Sequence, residues 1–356
     1  NLALAHALND EPESALRVLE VLAGKGVVVG VEGIPEFESI LALPAWEQYQ
    51  LSMGRLLEPV GDAEAVEYVD EDRFVPEGLA IDDAGNVFLG SIHRGRLVRT
   101  NGSSADLISD RQGHWSVFGM RFDANGDLWF ASAAVPQLLD VGADAGKTGL
   151  FRVDVETGEI TRAAVLPQLA DAQVLGDLII DGDFIYATDS LTGAVYRYSI
   201  ENDSFDALVE PGGFGSPQGL DFDASGEHLY VADYIGGISR VSIADGAKSR
   251  LTVPDTVTDF GIDGMYRYGD SLLAIQNGVQ PHRVVEFVLS DDGLAIDSAH
   301  TLVANHELFD EPTLGVIRGD DFYFVANSHW NRFDQDNRLP DGLSGPTVLK
   351  LRLASH

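Results

Sequence analysis

Three residues with oxygen-bearing side chains stand at the same place in a recurring short motif, and together they could bind a hard cation. Glu77, Gln218 and Asp263 each come directly before a glycine that opens a strand-like run. Carboxylate and amide oxygens are the donors that Ca²⁺ prefers in proteins. If the fold brings the three side chains together, they predict a divalent-cation site; ordinary polar residues at a solvated rim are the alternative.

The motif occurs six times, and each copy precedes a tight turn and an aromatic-rich strand. The copies read PEGLAID from Pro76, FGMRFD from Phe118, GDLIID from Gly176, QGLDFD from Gln218, DGMYRY from Asp263 and LGVIRG from Leu314. Six four-stranded units at steps of 41 to 58 residues predict a six-bladed β-propeller. A β-sandwich is the alternative, but it would not require six similar units.

The elements that must position these residues follow from the propeller. The first strand of each blade lines the central channel, so the residue before the repeated glycine falls at one mouth of that channel. We call these six positions the ring residues: Glu77, Phe118, Gly176, Gln218, Asp263 and Leu314. The last unit runs out of chain after its third strand, and AVEYVD (65–70) is predicted to supply the missing strand and close the ring.

Two domains are expected, a helical segment over 1–60 and an all-β propeller over 61–356. In the first, Leu2, Ala5 and Leu8 recur at helical spacing, and Pro12 can open a second helix. This segment resembles a degenerate tetratricopeptide hairpin, which implies a module for a protein partner. A few amphipathic helices packed beside the propeller are the alternative.

The charge of the chain excludes several classes of function. With 57 acidic residues against 23 basic ones and a net charge of −34, the chain lacks the basic surface that nucleic-acid binding needs. It has no cysteine, so disulfides and cysteine-bound metals are excluded. No apolar run is long enough to span a membrane. The dispersed acids and scarce lysine favour adaptation to high salt, and we expect an extracytoplasmic location in a salt-adapted bacterium.

The motifs PEGLAID, PQGLDF and DGM, with the strands YATDS and YVAD, resemble the regucalcin and gluconolactonase family over about residues 65–353. The resemblance implies a channel-bound divalent cation, usually calcium, and hydrolysis of a sugar lactone. Its ligands correspond to Glu77, Gln218 and Asp263, and the resemblance casts Asp263 also as general base. Gln218 departs from the family, which has Asn at this position.

The substrate side departs further from the family. Family members often carry Asn in the third blade with an Arg nearby, whereas this chain has Gly176-Asp177 and no neighbouring Arg. Asp177, Phe118 and Trp115 are therefore the substrate-binding candidates, and a different lactone or an acyl ester stays open as substrate. His114 is a second catalytic candidate because imidazole can act as a base near pH 7, with a surface-loop role as the alternative.

Other signals are predicted to be structural. The turns DDAGN, DANGD and DASGE lack the later Glu of a calcium loop and read as hairpins. His329 and Trp330 are predicted to pack in a loop, although they could reach the channel mouth. No GxSxG or HExxH motif is present. The leading prediction is a metal-dependent lactonase or esterase acting on a small cyclic ester; a non-catalytic sensor or scaffold propeller is the alternative.

Overall fold

The computed structural model describes residues 2–109 and 111–354, and in these residues the strands form six four-stranded antiparallel sheets. The first sheet contains strands β2 to β5 and the second contains β6 to β9, in chain order from the centre outward. Their bounds are Pro76–Ile81, Val87–Ser91, Leu97–Thr100 and Ser104–Ile108 for blade 1, and Ser116–Phe122, Leu128–Ala133, Thr148–Val153 and Ile160–Val165 for blade 2.

Blades 3 to 5 repeat this order with β10 to β21. Their strands are Leu175–Asp181, Phe184–Asp189, Ala194–Ser199 and Ser204–Val209 in blade 3; Pro217–Phe222, His228–Asp233, Gly237–Ser242 and Lys248–Arg250 in blade 4; and Ile262–Tyr268, Ser271–Gln276, Arg283–Leu289 and Ile296–Ala304 in blade 5. The predicted six-bladed propeller is therefore confirmed.

Blade 6 is built from both ends of the propeller chain. It contains β22 (Gly315–Arg318), β23 (Asp321–Val325) and β24 (Thr347–Arg352), and its outermost strand is β1 (Glu64–Tyr68). The pairing joins Glu64 to Lys350 and Tyr68 to Thr347. Because β1 covers the free edge of β24, the ring closes as the sequence predicts.

The residues before the propeller form helices α1 (Leu2–Leu8), α2 (Pro12–Gly24), α3 (Glu38–Leu41) and α4 (Trp46–Leu56), with a 3₁₀ turn at Pro35–Phe37. They have their own apolar core, which includes Leu16, Leu19 and Tyr49. The α1 face differs from the predicted one: Ala3 and Ala7 are buried, whereas Leu2 and Leu8 are exposed. None of the helices in the described residues has the length and apolar character needed to cross a membrane.

The repeated glycine has a steric cause at the centre of the ring. A Cβ at Gly78 would overlap the carbonyl oxygen of Phe118, and one at Gly219 would stand 2.7 Å from the carbonyl oxygen of Asp263. In both cases the obstacle is main chain of the next blade's innermost strand, and at Gly219 the Met265 backbone nitrogen is nearer still. At these positions the innermost strands approach so closely that glycine is required, which explains why it recurs in five of the six copies, blade 3 having Asp177 instead.

Candidate functional site

A cavity of about 540 Å³ opens at the channel mouth where the innermost strands begin. All six ring residues line it, so the repeat correctly places Glu77, Gln218 and Asp263 around one space. The blade 3 position is glycine and contributes no side chain, which widens the cavity on that side. Further lining residues come from loops: Val135, Pro136, Gln137, Val174, Ser190, Leu191, Tyr234, Asn277, Glu311 and Trp330.

Glu77 and Asp263 are each held by one side-chain donor through one oxygen. The Trp330 indole Nε1 donates to Glu77 Oε2 at 2.6 Å, and the Asn277 amide donates to Asp263 Oδ2 at 2.7 Å. The Tyr234 hydroxyl in turn donates to Asn277 Oδ1 at 3.1 Å. These bonds fix the orientation of both carboxylates and leave Glu77 Oε1 and Asp263 Oδ1 available to the cavity.

Glu77 and Asp263 are largely removed from water and carry like charges, and both effects raise their pKa values. Burial, reinforced by the charge of Asp263, raises the pKa of Glu77 well above its usual range. Burial raises the pKa of Asp263 to about 7, with the charges of Glu311 and Asp177 adding to the effect. No Lys, Arg or His side chain is among the residues that line this cavity. The pair therefore favours a bound cation or a shared proton.

Gln218 completes the candidate donor set. Its amide nitrogen donates to Ser216 Oγ at 3.1 Å, which turns the amide oxygen toward the open blade 3 position. Within the described residues, no three His, Asp or Glu side chains cluster closely enough to hold a metal ion by themselves. A cation that binds here would therefore need amide oxygens and water beside the two carboxylates. The donors present are all oxygens, and this set fits Ca²⁺ or Mg²⁺.

Asp177 lines the cavity but faces the channel below it. This residue occupies the place that glycine takes in the other blades, and Arg121 Nη2 of blade 2 lies 3.7 Å from its Oδ2. Burial raises the pKa of Asp177, and the Arg121 charge opposes that effect. The sequence had indicated that an arginine was missing near blade 3. The structure brings one from the neighbouring blade instead.

Glu311 reaches the cavity through a strained backbone. Its φ is +64°, in the left-handed region, and its carbonyl accepts a hydrogen bond from Ser328 Oγ at 2.8 Å. The Asn331 backbone N–H donates to its Oε2 at 2.7 Å. Non-glycine residues with such a φ are uncommon and persist where surrounding contacts fix them. These contacts join Glu311 to residues 328–331 and bring Trp330 to the cavity. The sequence predicts loop packing for Trp330 instead.

His114 and Trp115 lie outside this cavity, contrary to the roles expected for them. The Trp115 indole donates to Asp144 Oδ2 at 3.2 Å, on a separate surface depression. His114 is 1% exposed and packs against Phe130. Its Nε2 donates to the Gly95 carbonyl at 2.8 Å. We therefore assign both side chains to packing. Phe118, by contrast, does line the cavity.

The burial of His114 predicts a pH dependence of stability. Burial lowers the pKa of His114 to about 4, whereas the unfolded chain takes up this proton near pH 6.5. Stability is therefore lost as the pH falls from 6.5 toward 4, by up to about 3 kcal/mol. His114→Gln keeps a side-chain donor and cannot titrate, so we expect its urea-unfolding free energy to fall less between pH 7 and 4.5. Equal losses in both proteins would contradict this prediction.

The sequence matches no family model and no curated protein. Solved structures show the same fold. An aldose sugar dehydrogenase from Streptomyces coelicolor, solved with PQQ, is 14% identical, with 82% of this chain and 98% of that chain covered and a TM-score of 0.58. A gluconolactonase from Xanthomonas campestris is 17% identical, with 84% and 92% covered and a TM-score of 0.54.

A virginiamycin B lyase from Staphylococcus aureus is 15% identical, with 82% of this chain and 99% of that chain covered and a TM-score of 0.54. At these identities the similarity shows the six-bladed fold alone. The three proteins carry different chemistries on it, so the function of this chain has to be argued from its own site.

Proposed function

We propose that the cavity hydrolyses a small lactone or ester, with Glu77, Asp263 and Gln218 as ligands of a divalent cation. One observation carries the proposal: two oriented carboxylates, of the buried Glu77 and the half-buried Asp263, face one cavity whose lining contains no basic side chain. Burying uncompensated like charges is costly, and proteins retain such pairs where a cation or a reacting group uses them. The motif resemblance and the fold shared with a gluconolactonase are consistent with it.

The residues of the chain have distinct tasks in this proposal. Glu77, Asp263 and Gln218 would hold a divalent cation, which would supply polarisation of the ester carbonyl. Asp263 Oδ1 accepts the proton of the attacking water, while the Asn277 amide holds Oδ2 and so fixes the direction of the free oxygen. Trp330 holds Glu77 in the same way, through its indole N–H to Oε2. Asp177 and its partner Arg121 lie below the reacting groups.

Cation binding is the first test. Titration calorimetry with CaCl₂ and with MgCl₂ should give one site in the wild-type protein, and Glu77→Gln should weaken binding by at least about 100-fold because it removes an anionic ligand. Asp83→Asn is the matched control: it also removes one negative charge, from an exposed hairpin turn in blade 1. We expect Asp83→Asn to bind as the wild type does.

Two results would overturn the proposal. Absence of any saturable divalent-cation binding in the wild type removes the ligand assignment. Binding without turnover of any lactone or aryl ester would instead favour a non-catalytic ligand-binding propeller, the alternative that the altered blade 3 positions Gly176 and Asp177 support.

A further inference from the structure

The cavity has two chemically different walls on opposite sides of the ring. The carboxylates of Glu77, Asp263 and Glu311 come from blades 1, 5 and 6. The facing wall belongs to blades 2 and 3 and is mostly apolar, formed by Val135, Pro136, Val174 and Leu191, with the polar residues Gln137 and Ser190 beside them and Asp177 below. A ligand that fills this space must therefore present a polar group to one side and an apolar group to the other.

The apolar wall continues out of the cavity. Leu191 lines the cavity and is also 59% exposed, in the turn between β11 and β12. Asp189 fixes that turn, because its Oδ1 accepts the Leu191 backbone N–H at 3.1 Å and its Oδ2 accepts the Thr192 hydroxyl at 2.7 Å. On the next blade, Ile235 is 66% exposed and directly follows the lining residue Tyr234. An apolar chain that extends from the cavity would meet these side chains at the mouth.

The charges of the site exclude one class of ligand. Four carboxylates line the cavity, from Glu77, Asp177, Asp263 and Glu311, and no basic residue lines it. Arg121 faces Asp177 from below, and a divalent cation would balance Glu77 and Asp263. Glu311 adds a further carboxylate beside the ligand, and Arg332, whose charge partly offsets it, does not line the cavity, so an anionic substrate would be repelled.

Resting on the proposed function, we infer that the substrate is an uncharged lactone or ester with an apolar chain, and neither a polyhydroxylated sugar lactone nor an anionic one. The ester group lies toward Glu77 and Asp263, and the chain lies against Val174 and Leu191. Hydrolysis adds the water oxygen to the acyl carbon and releases the ring oxygen as an alcohol, which takes the proton held by Asp263. The carboxylate product is itself anionic, so the same repulsion favours its release.

Three γ-lactones test the inference by turnover: one with a hexyl chain, one whose chain ends in a carboxylate, and a sugar lactone. We expect kcat/KM for the hexyl lactone to exceed both others by at least about 10-fold. Leu191→Asp should lower the hexyl value about 10-fold and that of unsubstituted γ-butyrolactone by a smaller factor, because γ-butyrolactone has no chain to contact Leu191. Leu2→Asp is the matched control, since Leu2 is equally exposed, at 60%, but lies in α1.

Binding of the corresponding γ-lactams separates this inference from the proposed function, because it does not depend on turnover. Tighter calorimetric binding of the hexyl lactam than of its carboxylate-ended analogue supports the ligand class even if no lactone is hydrolysed, in which case only the proposed activity fails. Equal binding of the two lactams, or turnover that Leu191→Asp leaves unaltered for the hexyl lactone, overturns the inference.

Discussion

Asp263→Asn is expected to yield a protein that is more stable than the wild type and at least about 100-fold less active, measured as kcat/KM with its best lactone or ester. Activity falls because the amide can neither accept the proton of water nor offer an anionic ligand. Stability rises because the substitution removes one charge from a buried like-charge pair while the neutral side chain can still accept the hydrogen bond from Asn277.

The gain in stability should depend on pH in a defined direction. Burial raises the pKa of Asp263 to about 7, from a value near 4 in the unfolded chain. The free energy of unfolding of the wild type therefore falls as the pH rises from about 4 to 7, because the unfolded chain releases this proton more readily than the folded one. In metal-free buffer at pH 8 we expect Asp263→Asn to be more stable by on the order of 2 kcal/mol, and we expect the difference to shrink as the pH falls toward 4. Urea unfolding at several pH values measures it.

The exposed control makes the result interpretable. Asp83→Asn changes the net charge by the same amount but should alter neither activity nor the pH dependence of stability. A variant of Asp263 that loses stability at pH 8, or that keeps wild-type turnover, would show that this carboxylate is a structural group and not part of the chemistry.

Gly78→Ala is expected to prevent or severely weaken folding of the propeller. The added Cβ would overlap the backbone carbonyl oxygen of Phe118 in the neighbouring blade, and backbone at the centre of a closed ring cannot move aside. Overpacking of this kind typically costs about 1–3 kcal/mol, and a clash with main chain lies at or above the upper end. Thermal unfolding followed by circular dichroism measures the loss, together with the soluble yield.

Gly54→Ala is the matched control for the glycine test. Gly54 lies in α4 with open space around its Cα, so alanine should be neutral or stabilise by up to about 1 kcal/mol through helix propensity. If Gly78→Ala unfolds at the same temperature as Gly54→Ala, the steric account of the repeated glycine is wrong.

The blade pattern could be predicted because each blade solves the same packing problem with the same residues. The close approach at Gly78 and Gly219 imposes glycine, and the glycine then marks the ring residue before it. This reasoning correctly placed Glu77, Gln218 and Asp263 at one cavity. It also predicted β1 as the closing strand, because the last unit lacked a fourth strand of its own.

Asn277 and Tyr234 could not be predicted from the repeat, and Trp330 could be named only as one of two alternatives. All three come from loops that follow second strands, and these loops differ in length from blade to blade. For His114, the position of its loop could be predicted but the direction of its side chain could not. The repeat indicates which end of the blade its loop occupies, but only the packed structure shows that the imidazole turns away from the mouth to contact Phe130.

The pairing of β1 with β24 has a consequence for synthesis of the chain on the ribosome. Glu64 pairs with Lys350, so the first propeller strand to be made waits for the last one before it acquires its partner. Until then, nascent blades 1 to 5 form an open arc whose two ends expose the apolar faces that pack against blade 6, and the unpaired β1 can pair with another chain. Synthesis of β24 thus also protects the chain from association with other chains. Premature termination before β24 should produce insoluble fragments and not shorter active proteins.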